Sequence, residues 1–206
     1  QAAQEFTFAV GIGHAQPVLD LVVPGLELAP GAKFTGQFSS KTFDLGLDAD
    51  LPHVGYKGIS DDSLQVAISK TMDVLAFSLK GNGHTRDSLA LHNLYMTGQA
   101  YQDEVKLRAD WAGGATGGGG ASGTVNINAL VNSPSSVSLE LEPSHADLGQ
   151  GQWRNPEVAR IEVDSAGIRV DSLLLENGAQ TILLNGGVGR DSTLALAFNL
   201  HNVQME

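Results

Sequence analysis

Apolar and polar residues alternate along almost the whole chain. Phe43, Leu45, Leu47 and Leu51 stand against Asp44, Gly46, Asp48 and Asp50, and Val105, Leu107, Ala109 and Trp111 stand against Glu104, Lys106, Arg108 and Asp110. A period of two places successive side chains on opposite faces of an extended strand, so each such segment has one apolar face and one polar face. The pattern recurs in Leu64/Val66/Ile68, Leu75/Phe77/Leu79, Val125/Ile127, Val137/Leu139/Leu141, Ile161/Val163, Ile168/Val170, Ile182/Leu184 and Leu194/Leu196/Phe198/Leu200. About fifteen segments of this kind fill the chain, which is the density of an all-β protein.

The connections are short. Asn82-Gly83 and Asn177-Gly178 supply the positive φ of tight primed turns and predict antiparallel pairing of their flanking strands, hence a meander. Asp-Ser recurs in Asp62-Ser63-Leu64, Asp87-Ser88-Leu89, Asp171-Ser172-Leu173 and Asp191-Ser192-Thr193-Leu194. Two readings stand: local turn bonds made just before a strand, or a duplicated hairpin unit. Pro17 to Val23 breaks the alternation, with apolar positions at helical spacing and Pro24-Gly25 as a stop, and predicts one short helix. Gly113 to Gly123 has no side chain able to pack and predicts a mobile glycine-rich loop.

So little helix leaves no second layer to cover the apolar face, so the sheet must cover itself. A sheet of this many strands curls, and the outcomes are a barrel, a self-packed sandwich, or a long sheet folded lengthwise into an open trough. With strands ~4.8 Å apart, fifteen in succession extend ~70 Å. The apolar face has few polar groups able to orient a sugar or nucleotide, so it contacts either something oily or only itself.

Composition narrows the partners. Against 23 acidic residues stand 12 Lys and Arg, a net charge of −11, which argues against a nucleic-acid backbone. Hydrophobic residues at 42% and charged residues at 17% fit one continuous folded unit over residues 1–206. Cysteine is absent, so neither a disulfide framework nor a thiolate metal site is available. The apolar stretch Val18 to Val23 contains Asp20 and is too short to cross a bilayer, and Gln1 to Glu5 lacks the regions of a signal peptide. The expectation is a mature protein or an internal piece of a longer one.

Catalytic chemistry finds little purchase. His14, His53, His84, His92, His145 and His201 have no metal-ligand spacing. Ser122 lacks the glycine that follows a nucleophile elbow, the glycine loop lacks the Lys-Ser/Thr of a P-loop, and Gly186 to Asp191 is a single copy of what a calcium β-roll needs in tandem. Asp61, Asp62, Glu140 and Glu142 could in principle pair across a cleft as acid and base, but Glu140 and Glu142 share the solvent-facing parity of their strand, and only Trp111 and Trp153 are available as tryptophans for a carbohydrate site. The expectation is a protein that is not an enzyme, with no metal and no cofactor.

One resemblance emerges from specific residues. Phe6-Thr7-Phe8, the run Pro17-Val18-Leu19-Asp20-Leu21-Val22-Val23-Pro24-Gly25-Leu26 and Ala29-Pro30-Gly31-Ala32-Lys33-Phe34-Thr35-Gly36 resemble the interior of TamB proteins of the AsmA-like superfamily, in their Bacteroidota version. Trp153, Ile161, Gly167-Ile168-Arg169-Val170, Leu173 to Leu175, Asn177-Gly178 and Gln180 to Gly186 agree with it. The resemblance implies a periplasmic section of a translocation and assembly module anchored in the inner membrane. It further implies a β-taco-like trough for phospholipid acyl chains, continuous with neighbouring sections of the same polypeptide. Through the full-length protein it implies an insertase-type outer-membrane barrel as partner, and support of outer-membrane protein assembly. The chain departs from the family by lacking an N-terminal membrane helix and a C-terminal docking segment. The trough lining would then be Phe43, Leu45 and Leu47; Leu64, Val66 and Ile68; Leu75, Phe77 and Leu79; Val105, Leu107 and Trp111; Val125 and Ile127; Leu139; Ile182 and Leu184; and Leu196 and Phe198. The competing expectation is a structural or adhesive β-sandwich with a fully self-packed core and no ligand.

Overall fold

The alternating segments become the strands of one antiparallel sheet. The computed structural model describes residues 4–14, 16–57, 59–84, 89–115, 120–147, 151–190 and 193–202. In chain order the elements are β1 (Glu5–Ile12), α1 (Gln16–Val22), β2 (Leu26–Leu28), β3 (Ala32–Ser39), β4 (Asp44–Tyr56), β5 (Ile59–Thr71), β6 (Val74–Gly81), β7 (Gly83–His84), β8 (Leu89–Tyr101) and β9 (Glu104–Ala115), followed by β10 (Gly120–Ser133), β11 (Ser136–Asp147), β12 (Gln152–Asn155), β13 (Ala159–Val163), β14 (Gly167–Asn177), β15 (Gln180–Gly189) and β16 (Leu194–His201). Strand order follows chain order, with β2 alongside β4, β7 between β5 and β8, and β13 between β11 and β14. The all-β meander with a single short helix among the described residues is as the alternation predicts.

Turn chemistry explains the reversals. Thr71 pairs with Val74 across Met72-Asp73, and Asn177 pairs with Gln180 across Gly178-Ala179. Met72 and Gly178 carry the positive φ that matches a two-residue loop to strand twist, at 53° and 59°. Gln102, between β8 and β9, does the same at 53°. The helix starts where predicted, with the Gln16 side-chain amide donating to Asp20 Oδ1 (2.7 Å) and to the Leu26 carbonyl (3.0 Å). It stops at Pro24-Gly25, where Gly25 has φ 85°.

Three local expectations are corrected. Asn82-Gly83 is no hairpin turn: β6 and β7 are two pieces of one strand beside β5, which pairs Gln65 with Lys80 before the break and Asp61 with Gly83 after it. The Asn82 N–H donates to Asp61 Oδ1 (3.2 Å), and Asn82 Oδ1 accepts the Asn93 N–H (3.1 Å), so side chains bridge a bulge and no reversal follows. The glycine-rich segment is largely strand, since β9 continues to Ala115 and β10 begins at Gly120; residues 116–119 lie outside the described residues. Ladder hydrogen bonds need backbone, not side chains, so glycine weakens such strands without forbidding them. Ser63 and Ser172, expected before strands, lie inside β5 and β14 at φ 80° and 53°. The other two Asp-Ser phrases fall wholly or partly outside the described residues.

The chain forms two compact units, residues 1–102 with 110–121 and residues 103–109 with 122–206. In the first, one line of irregularities crosses successive strands. Between β2 and β3, Gly31 (φ 94°) faces Pro52 of β4, and the register of β4 with β5 sets Pro52 opposite Ser63; next come the Asn82 break and Asn93 (φ 52°) in β8. Bulges and positive-φ residues bend a strand and re-aim its side chains, so this line is a crease. Asp61 confirms the re-aiming: its carboxylate covers Gly81, on the face of Phe77 and Leu79, although strict alternation from Leu64 would send it to the other side.

The second unit has its own crease. On β11, Pro143 and Ser144 stand where β10 supplies one residue, between the pairs Thr124/His145 and Asn126/Glu142. β12 and β13 are separated by residues 156–158, and β14 bulges between Val170 and Leu173 at Asp171-Ser172. The deepest side chains lie along these lines. Among the described residues the buried apolar ones are Ala32, just past Gly31, and Ala159, just past the β12–β13 break, and the buried polar ones are Asp61, Ser144 and Asn155. Asn155 serves the freed backbone: its Oδ1 accepts the Ser144 N–H (2.9 Å), and its Nδ2 donates to the carbonyls of Glu142 (2.9 Å), Glu157 (3.2 Å) and Leu141 (3.3 Å).

Candidate functional site

Register turns the alternation into apolar rows that cross the strands. In the first unit Phe8, Gly36, Leu47, Ile68, Phe77 and Gly98 are successive cross-strand partners. Beside them run Val10, Phe34, Ala49, Val66, Leu79 and Met96, and on the other side Phe6, Phe38, Leu45, Lys70, Leu75 and Ala100. Ring-over-glycine packing tightens the middle row, because the Phe8 ring occupies the space over Gly36 and the Phe77 ring that over Gly98. Phe6 and Phe38 stack at 5.5 Å between centroids.

Eight predicted lining residues thus share one face in this unit: Leu45, Leu47, Leu64, Val66, Ile68, Leu75, Phe77 and Leu79. Phe43 does not sit on a strand. It lies in the turn before β4 at φ 56° and is 66% exposed, because the alternation that includes it runs one step past the end of the strand.

In the second unit Ala129, Leu139, Ile161, Val170, Gly186 and Leu196 form one row, and Leu173, Leu184 and Phe198 another, flanked by Leu175, Ile182 and Leu200. Ile127 pairs with Leu141, while Val125 falls at the register shift between Thr124 and Asn126. Val105, Leu107 and Trp111 occupy alternate positions of β9 and are half-buried.

These rows are not sealed. Among the described residues no large side chain is fully buried, and Phe6, Val10, Leu45, Leu75, Ile168, Val188, Phe198 and Leu200 remain between 38% and 61% exposed. Lateral neighbours in the rows cover their flanks, and these eight side chains keep more than a third of their surface exposed. A packed sandwich would instead interdigitate two faces about 10 Å apart and remove most such area from water. Contiguous apolar surface of this kind marks an interaction site on a soluble protein. The polar face is charged and traversed by surface ion pairs such as Arg160 with Glu140 (3.2 Å) and Arg154 with Glu176 (3.3 Å).

No group of three or more His, Asp or Glu able to hold a metal occurs among the described residues. His53 Nδ1 lies 2.5 Å from Asp62 Oδ1 as a partly exposed cross-strand pair beside the first crease. Lys70, overlooked by the alternation, occupies an apolar-face position after Leu64, Val66 and Ile68; that parity is the signal that identifies it. No helix among the described residues is long and apolar enough to cross a membrane. Comparison with family models, with curated proteins and with solved structures finds no match.

Proposed function

We propose that this chain is a periplasmic section of a TamB-like envelope protein. In this reading its apolar face carries phospholipid acyl chains between the inner and outer membranes in support of outer-membrane assembly. The observation that carries the reading is the uncovered apolar face: rows of Leu, Ile, Val and Phe crossing many strands, with no large side chain fully buried among the described residues. Burial of a methylene is worth about 0.8 kcal/mol, so a sixteen-carbon chain fully enclosed gains ~12 kcal/mol and would stall. An open face covers such a chain on one side only, for roughly half that, and repeats nearly the same surface from strand to strand. Hydrocarbon can then slide from row to row without a deep minimum. The acidic polar face leaves anionic head groups in water.

The test places a photo-reactive amino acid at Leu47 or Phe77 on the apolar rows or at Leu107 of β9, and at Asp48 or Ser78 on the polar face, of the chain in contact with phospholipid vesicles. Lipid adducts at the first set and none at the second are expected. Equal labelling of both sets, or none at all, rejects the transport reading and leaves the structural or adhesive module in its place.

A further inference from the structure

Among the described residues, the apolar face of the first unit carries one cation. Between the turns and the crease, the described residues of β1, β3, β4, β5, β6 and β8 on that face are apolar except Lys70, which stands between Leu45 and Leu75. A charge placed inside a hydrocarbon row is costly unless its head reaches water or a partner, and the long lysine stem allows that. The ammonium reaches the rim. Nζ donates to the Met72 carbonyl (2.7 Å) and to the Phe43 carbonyl (3.5 Å), in two adjacent hairpin turns. These are neutral acceptors, and no carboxylate among the described residues takes the charge. An ammonium has three N–H donors, and these two carbonyls take two of them. Around it the rim is greasy: Phe43 and Met72 are 66% and 75% exposed.

We propose that Lys70 is a head-group anchor, selecting amphiphiles with an anionic, phosphate-type head whose hydrocarbon tail lies on the Leu47 row. The proposal rests on the lipid reading above and adds specificity to it. Its chemistry is complementary on both counts: an unneutralised cation at the border, and an apolar track that begins one row inward. On a chain of net charge −11 the rest of the surface repels such a head, which makes this point distinctive.

The test measures binding of dodecyl phosphate, dodecyl maltoside and inorganic phosphate to the intact chain by calorimetry, below the micellar concentrations. Dodecyl phosphate is expected to bind about tenfold tighter than the maltoside, and inorganic phosphate not measurably at millimolar concentration. Lys70→Met should bring the ratio of the two amphiphiles to about one while retaining maltoside binding, and Lys70→Arg should keep most of the preference. If Lys70→Met does not fold, the wild type decides alone: its preference must fall several-fold between 0.05 and 0.5 M salt, roughly as screening of a single exposed charge requires. An unchanged ratio in Lys70→Met, or a salt-independent preference, overturns the anchor and leaves the lipid reading intact. Binding of inorganic phosphate as tight as dodecyl phosphate also overturns it, in favour of a plain anion site. Failure of both amphiphiles to bind overturns the two readings together.

Discussion

Removing the Asn155 side chain tests whether the crease of the second unit is held by polar groups. Asn155 is 4% exposed, and its amide closes four backbone groups of β11 and of the β12–β13 break. In Asn155→Ala not all four are orphaned. The Glu142 carbonyl still accepts the Ser144 hydroxyl at 2.7 Å, and Glu157 is exposed and turns to water. The Ser144 N–H is left without its acceptor in a buried position, and that costs about 1–3 kcal/mol, so a total of about 2–3 kcal/mol is expected. With a urea slope of about 2 kcal/mol/M this moves the midpoint down by about 1–1.5 M, read by the fluorescence of Trp153, two residues away on β12. Asn155→Asp keeps the acceptor for Ser144 but turns a carboxylate oxygen towards three carbonyls, and is expected to cost more than alanine. Asn132→Ala, removing an exposed 2.7 Å bond to Ser138 Oγ, is the control and should stay within about 0.5 kcal/mol. If Asn155→Ala is as stable as Asn132→Ala, the crease is held by something else.

Substitutions at three further positions, Gly186, Ser172 and Gly98, probe backbone geometry. Gly186 has φ 121° and a Cβ there would overlap the Ala195 carbonyl, so Gly186→Ala should cost about 3 kcal/mol or more and raise hydrogen exchange in β16, whereas Gly13→Ala, in open space, should be neutral. Ser172→Gly relieves a left-handed residue and is expected to raise Tm by about 2 °C, while Ser172→Val lowers it by several degrees; the opposite order would refute the bulge strain. Gly98→Ala must displace the Phe77 ring, which can rotate, so about 1–2 kcal/mol is lost in chemical denaturation, and Phe77→Ala combined with Gly98→Ala should show strong non-additivity.

Strands and faces were legible because alternation depends only on local geometry and most strands here run eight residues or more. The creases were hidden because they depend on what a neighbouring strand offers. Asn82-Gly83 and Asn177-Gly178 share a dipeptide; the second reverses the chain, while the first is captured by Asp61, twenty-one residues away, and becomes a bulge. One local trace does exist. Val170 and Leu173 both face the apolar side three residues apart, and prolines 52 and 143 sit inside strands, so a three-residue step near a proline or an Asp-Ser pair marks where alternation resets. Parity puts the lining residues of β4, β5 and β6 on one face, but it carries Phe43 past its strand, does not show the register shift at Val125 and skips Lys70 for being charged. Whether the face is open could not be read from parity, since a sealed core and a bare track alternate identically.

A ladder in which each rung leans only on the next has a further consequence. Because the creases are maintained by main-chain kinks and short polar side chains, not by a shared interior, the cost of adding or deleting one hairpin falls mainly on its immediate flanks. Length in such an architecture is a freely variable quantity, adjustable by duplication of a hairpin.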